Sequence, residues 1–381
     1  MSSIPRFLLG VLLLFPLALL AQGKKRPDQP LEMSRLPAVP TMPDAFPQVV
    51  GTQVFGPAYK FTKDEAVLEA AKGISAMGSR ILKINAVSGQ QLTPYIAMPF
   101  THYVLWYRST NDWTKGFTPE LKRREYNAVY LFTKDLLTRY DTAGKTFFLG
   151  HWEGDWYLLP DKDVKKDASP ELIAAMIEWL NIRQKAVDDA RAEVSYAKCR
   201  VYTYTEVNRV RDAMKDGRKR LVNAVLPKAN VDFVSYSAYD CQLLPVEEIR
   251  ATLDYVNAQL PAKAGLPAKR VFIGECGLSW KACGGDGVKH DQRNREILAK
   301  FMTWKPAMTL FWQYYNNEVI DGEQVGFWLV DNKNNKTPLH ATLTELFAAQ
   351  EEAAREMRGR TRRLPGFEEI AAFSENWLNA R

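Results

Sequence analysis

Cysteine is scarce in this chain. Four residues in 381, Cys199, Cys241, Cys276 and Cys283, are too few to make a disulfide scaffold of a domain this size. Charge of one sign is nearly absent as an excess: 51 Lys and Arg against 44 Asp and Glu leave +7, short of the dense basic face that nucleic acid demands. No His-x-His, paired-Cys or Glu-x-x-His spacing occurs, so no catalytic metal is expected, and no other cofactor motif appears. Gly284-Gly285-Asp286-Gly287 is a flexible turn without the Lys-Ser/Thr of a phosphate loop, and the cysteines lack the local signatures of catalytic thiols.

What is present is core-forming and aromatic. The chain is 46% hydrophobic and 25% charged, which excludes disorder as the main state. Its 10 Trp, 16 Tyr and 18 Phe supply flat rings that serve as core or as stacking platforms. Residues 1–23 read as a secretory signal, with Arg6 in the n-region, an apolar Phe7 to Leu20, and Ala21-Gln22-Gly23 for cleavage. An uncleaved anchor flanked by Lys24-Lys25-Arg26 is the alternative. A Pro-rich leader over 24–48 follows, and a secreted or periplasmic monomer without stable membrane insertion after signal cleavage is expected.

From residue 49 to 349, short β-branched and aromatic runs alternate with segments of helical period. The strand candidates are Thr52 to Phe55, Arg80 to Asn85, Tyr103 to Tyr107, Thr146 to His151, Arg200 to Tyr204, Asp232 to Tyr236, Arg270 to Gly274 and Thr309 to Gln313. Helix starts are signalled by a Thr62/Glu65 capping box and by Thr118-Pro119 and Ser169-Pro170. Eight strands alternating with helices are the arithmetic of an α/β fold, a single-domain (β/α)8 TIM barrel, with an open doubly wound sheet second. Residues 350–381 form a C-terminal helical tail with Arg355, Arg358, Arg360, Arg362 and Arg363 near its start, read as a solvated extension, with adhesion to an anionic surface as the other option.

In such a barrel the chemistry gathers at the C-terminal ends of the strands. The fourth ends in Gly150-His151-Trp152-Glu153-Gly154-Asp155-Trp156, and the seventh in Gly274-Glu275-Cys276-Gly277. A carboxylate at the end of an interior strand either holds a structural cation or does acid-base work. Two of them, on strands that face across one mouth, are what glycoside hydrolysis requires.

The sequence here resembles the cellulase-like glycoside hydrolases of clan A. The likeness rests on Gly274-Glu275-Cys276-Gly277, similar to that clan's Gly-Glu-Phe-Gly motif, on Phe311-Trp312 at the eighth strand, and on Phe327 to Asp331 with Pro338. The resemblance implies a (β/α)8 enzyme with Glu275 as nucleophile and Glu153 as acid/base. The chain departs from the clan's pattern in three places: Trp152 stands where the clan usually has Asn, Ser237 and Tyr239 where it has His and Tyr, and Lys83 where it often has Arg. Asp155, two residues beyond Glu153, is held as the reserve acid.

Around these, Trp152, Trp156, Tyr204, Tyr236, Tyr239, Trp280, Trp312 and Trp328 fall at or just after strand ends, where rings stack on sugar faces or pack as core. His151, and after it His102, are candidates to orient carboxylates or titrate near neutrality, or else are ordinary hydrogen-bonding residues. Glu206 reads as a helix-start or solvent residue more than a third acid, and Cys276 either bridges to Cys241 or Cys283 or stays a buried thiol. The reading is a retaining glycosidase acting on a β-linked polysaccharide or oligosaccharide, with Glu153 and Glu275 catalytic and Trp152, Asp155, Tyr236, Tyr239, Trp280, Trp312, Lys83 and His151 binding the substrate. A carbohydrate-binding barrel that does not cleave, and a hydrolase of another ester or phosphodiester using His151 and Asp155, are the rivals.

Overall fold

The computed structural model describes residues 47–109 and 112–381; the expected signal segment and all but the end of the leader lie outside them. Eight parallel strands close on themselves: β1 (Val50–Gln53), β2 (Ile81–Ala86), β3 (His102–Tyr107), β4 (Thr146–Gly150), β5 (Arg200–Val207), β6 (Phe233–Ser237), β7 (Val271–Cys276) and β8 (Thr309–Phe311), with β8 pairing back onto β1. Each matches a strand expected from the sequence, displaced by a few residues at its ends, and the open-sheet alternative is excluded by the closure.

Alternation along each strand sorts side chains into two populations. Ile81, Val104, Phe148, Tyr202, Phe233, Phe272 and Leu310 point into the barrel and pack ring on ring, with Phe148 5.2 Å from Phe233 and 5.8 Å from Phe272. Their neighbours, such as Leu82, Leu105, Leu149, Val201 and Val234, point outward into the layer between strands and helices. Each such fully buried side chain contributes roughly 1.5–3 kcal/mol.

The crossover helices carry the expected start signals at two of three places. Thr118 accepts the Leu121 N–H at the head of helix Pro119–Arg139, and Ser169 accepts that of Leu172 at the head of Pro170–Glu193. The capping box does not form. Glu65 itself caps helix Ala66–Ala76 by accepting the Val67 and Leu68 N–H groups, and Thr62 instead gives its hydroxyl and N–H to the buried Glu69. A carboxylate at the helix start reaches the free N–H groups directly, so the more distant hydroxyl is not needed.

The tail is more than a solvated extension. Helix Pro338–Thr361 runs unbroken through residue 350, and helix Phe367–Asn379 folds back to bury Ile370, Ala371, Ser374 and Leu378 while Phe367 packs on the barrel-interior cluster. Its arginines are exposed, and Arg355 and Arg363 pair with Glu352 and Glu369. All four cysteines are buried free thiols, so the bridge from Cys276 does not form. Among the described residues no helix is long and apolar enough to cross a membrane.

Candidate active site

Two residues beyond the packed rings, the same inward register turns polar. Ile81 is followed by Lys83 on β2, Tyr204 by Glu206 on β5, and Phe233 by Ser235 and Ser237 on β6; all four polar residues are buried. Strict alternation on β7 would send Glu275 outward with Val271 and Ile273. A register shift prevents this: Ser235 pairs with Phe272 and Tyr236 with Ile273, but Ser237 pairs with Glu275, so Gly274 is an extra residue and Glu275 turns in while Cys276 joins the outer layer. Gly274 has to be glycine, because a Cβ there would lie 1.8 Å from Ser235 Oγ and 2.6 Å from a Glu206 oxygen.

These residues form one network. The Lys83 ammonium donates to Glu206 Oε2 (2.9 Å), Glu275 Oε1 (3.3 Å) and the Gly274 carbonyl (3.0 Å). Ser235 also donates to Glu206 Oε2, at 2.6 Å. Glu153, just past β4, has its own N–H donating to Glu206 Oε1 (3.0 Å), and its carboxylate accepts from the Trp156 indole and from Ser237. Ser237 Oγ lies 2.6 Å from Glu153 Oε1 and 3.5 Å from Glu275 Oε2. One oxygen of each carboxyl is thus brought to the same hydroxyl, which places the two groups face to face across it.

Rings enclose this centre. Lys83 Nζ sits 4.9 Å from the Trp106 ring, which stacks on Phe55 (3.6 Å) and Trp312 (6.3 Å) and meets Trp152 at 6.3 Å. Tyr239, 36% exposed, stands at the mouth 6.3 Å from Phe327, and the charges of Glu275 and Glu153 reach its phenol. Burial removes water and weights every charge in the centre. It raises the Glu153 carboxyl to about 7; the Glu206 charge adds to the rise, while Ser237, Trp156 and Lys83 oppose it. Burial also pushes Glu275 well above the ordinary carboxylate range against the pull of Lys83, with Glu206 and Glu153 adding to the push. Glu153 and Glu275 are thus both pushed toward their protonated forms, and the Lys83 ammonium, which touches Glu275 and Glu206 but not Glu153, opposes that push by direct contact only at Glu275.

Several residues expected at the site are elsewhere. Asp155 is fully buried and its oxygens accept the N–H groups of Asn208 (3.0 Å), Arg209 (3.1 Å) and Leu221 (2.7 Å), so it is a fastening for the loop after β5 and not a reserve acid or a substrate contact. The chain turns helical at Asp155–Leu158, so Asp155 does not share the direction of Glu153. His151 has both ring nitrogens engaged, by the Trp152 carbonyl and Thr205 Oγ1, and burial lowers it to about 3, which leaves it neither free to touch substrate nor titrating near neutrality. With His151 and Asp155 both occupied, the ester or phosphodiester reading loses its residues. His102 is buried at the start of β3, the end remote from the mouth. Tyr236 points outward from β6 into the helix layer, where its hydroxyl donates to Asp240. Trp280 packs at a tilt against His290 (5.7 Å) and Trp328 (6.2 Å) beyond β7. Trp156 proves to be a hydrogen-bond donor to Glu153, and Tyr204 is a buried floor beneath the charges.

Glu206 is neither at a helix start nor in solvent; it is the fully buried hub of the network. Sequence reasoning also passed over Ser235, Trp106 and Phe55. A signal was present: Ser-x-Ser at the end of an apolar strand, and Trp106 two residues beyond the inward Val104, both on the inward period.

No protein-family model matches the chain, and no curated protein sequence matches it. Solved structures do share its fold. GH5_18 from Streptomyces cattleya, in complex with Manb1-4GlcNAc, superposes with a TM-score of 0.57 at 10% identity, over 84% of this chain and 82% of that one. The exo-beta-1,4-mannosidase Op5Man5 from Opitutaceae bacterium strain TAV5 gives 0.54 at 12% identity, over 85% and 63%. A family 5 xyloglucanase from Paenibacillus pabuli gives 0.51 at 12%, over 80% and 98%. At such identities the likeness establishes the barrel fold and leaves the chemistry to the residues.

Proposed function

We propose that this chain is a retaining glycosidase in which Glu153 protonates the glycosidic oxygen while Glu275 attacks the anomeric carbon. The bond from that carbon to the leaving oxygen breaks as the bond to the Glu275 carboxylate forms; Glu153, now ionised, then takes a proton from water, whose oxygen displaces Glu275. The observation that carries the reading is the pair of carboxyls meeting across the single Ser237 hydroxyl. The raised Glu153 supports its part as acid, since a group near 7 still holds its proton at neutral pH. Lys83, 3.3 Å from Glu275, opposes the rise that burial causes there and so favours the ionised nucleophile. A β-linked sugar is supported by the Manb1-4GlcNAc ligand and the exo-beta-1,4-mannosidase name of two neighbours of the same fold. Trp152 and Trp312, near the centre, are the rings to stack on it. A secreted or periplasmic location belongs to the same proposal and is tested by the N-terminus of the mature protein.

The test is turnover of a panel of β-linked glycans by the purified protein. Glu275→Gln is expected to lose on the order of 10^5-fold in kcat and Glu153→Gln about 10^2–10^4-fold, both folded, with the wild-type product retaining its anomeric configuration. Full activity in Glu275→Gln ends the reading. A second reading, carbohydrate binding without cleavage, is favoured by Trp152 in place of an amide and by the ammonium that occupies Glu275; glycan binding without any turnover would select it.

A further inference from the structure

The two proposed catalytic carboxylates come from strands on different sides of the barrel, and neither touches the other's backbone. One residue connects them. Glu206, on β5 between β4 and β6, is fully buried, and each of its oxygens has a distinct duty. Oε1 accepts the Glu153 N–H at 3.0 Å; Oε2 accepts Lys83 at 2.9 Å and Ser235 at 2.6 Å. Its backbone carbonyl accepts the Gly154 N–H at 2.8 Å, so main chain and side chain of one residue clamp the Glu153-Gly154 segment. The same Lys83 nitrogen reaches on to Glu275 at 3.3 Å. A buried carboxylate needs a partner, and Lys83 supplies it. Nothing in that requirement explains why the second oxygen is spent on the backbone of the proposed acid.

We propose that Glu206 is the positioning residue of this centre, fixing Glu153 and, through Lys83, Glu275 in one frame, and that its negative charge makes Glu153 hold its proton. The proposal rests on reading Glu153 as the acid, but the arrangement it describes exists whether or not a sugar is cleaved. The charged and titratable groups around Glu153 are Glu206 from β5, Lys83 from β2, Glu275 from β7 and Tyr239 from the segment after β6, with Ser237 and Trp156 as hydrogen-bond donors. Of the charged groups, Glu206 is the one hydrogen-bonded to Glu153, through the Glu153 backbone N–H, and a like charge held this near opposes ionisation of the Glu153 carboxyl.

The experiment is a carboxyl-carbon NMR titration of protein labelled at glutamate, the Glu153 signal being the one lost in Glu153→Gln. In Glu206→Gln, which keeps an acceptor for the Glu153 N–H and removes the charge, the midpoint of Glu153 is expected to fall by about one unit or more. In Lys83→Met, which removes the opposing cation, it is expected to rise. A merely structural role for Glu206 would leave the Glu153 midpoint in Glu206→Gln where it is in wild type. If Glu206→Gln does not fold, the Lys83→Met/Glu206→Gln double variant removes the pair as a neutral unit, and its midpoint is also expected below wild type because the Glu206 charge acts on Glu153 more strongly than the Lys83 charge does. An unchanged or raised midpoint in Glu206→Gln, or in the double variant when it stands in, overturns the proposal. The titration needs no substrate, so absence of turnover in wild type would count against the glycosidase reading alone; where turnover is measured, the alkaline limb of kcat/KM in Glu206→Gln should fall with the titration, and Glu206→Asp, which retains the charge, should restore it.

Discussion

The interior of this barrel has two storeys built from the same strands, and they obey opposite rules. The lower one is Ile81, Val104, Phe148, Tyr202, Phe233 and Phe272, buried and interlocked. The upper one, two residues further along the same inward register, is Lys83, Glu206, Ser235 and Ser237, joined by Glu275 over a bulge and Glu153 from the next loop. Hydrophobic burial stabilises the first. In the second, burial works against the charged forms, and hydrogen bonds and the two ion pairs of Lys83 only partly offset it. The stability generated below is what permits an arrangement above that no isolated polar cluster would hold.

Substitutions should therefore act with opposite sign in the two storeys. Phe272→Ala, which opens a void beside Phe148 and Tyr204, is expected to cost about 3–5 kcal/mol in urea unfolding while Glu153 still titrates near 7. A loss below about 1 kcal/mol would mean the lower storey collapses to fill the gap.

Glu153→Gln should do the reverse and stabilise. Folding raises that carboxyl from the ordinary value of 4.5 to about 7. At pH below both values each state is protonated and the residue is neutral in the balance. Between them the unfolded chain ionises while the folded one does not, so wild-type stability falls as pH rises, and above 7 the deficit is constant. Relative to wild type the variant should gain on the order of 2–3 kcal/mol at pH 8 and nearly nothing at pH 4. An equal difference at both pH values would show that Glu153 is not the proton holder.

The smallest effect tests the boundary between inside and outside. Tyr236→Phe removes a hydroxyl that faces Asp240 in the helix layer, and should cost about 1 kcal/mol with glycan turnover unchanged. A collapse in turnover comparable to Glu275→Gln would place Tyr236 in the mouth after all.

The contrast with Tyr236 also shows where reading residues in order reached its limit. Tyr236 and Ser237 are adjacent, and only the strand's register decides that the serine enters the centre and the tyrosine leaves it. His151 and Asp155 looked like chemistry because they flank Glu153; in the folded chain Thr205, and the N–H groups of Asn208, Arg209 and Leu221, claim them. Glu206 looked like a surface acid because an isolated glutamate after Tyr-Thr-Tyr-Thr carries no mark of its partners, which sit 53 residues before it and 29 after. Glu153, Glu275 and Trp312 were singled out by their positions at strand ends, and Lys83 only by the family resemblance.

The amino-acid order contains the barrel: the alternation of short apolar runs with capped helical segments is a local property, and each strand and the Thr118 and Ser169 caps follow from residues within a few positions. The glutamate network is different in kind. Its geometry depends on one inserted glycine that turns Glu275 inward, and its proton affinities depend on charges brought from three strands and the loop after β4 into a buried space. Those are long-range quantities, and they exist only once the chain has closed on itself.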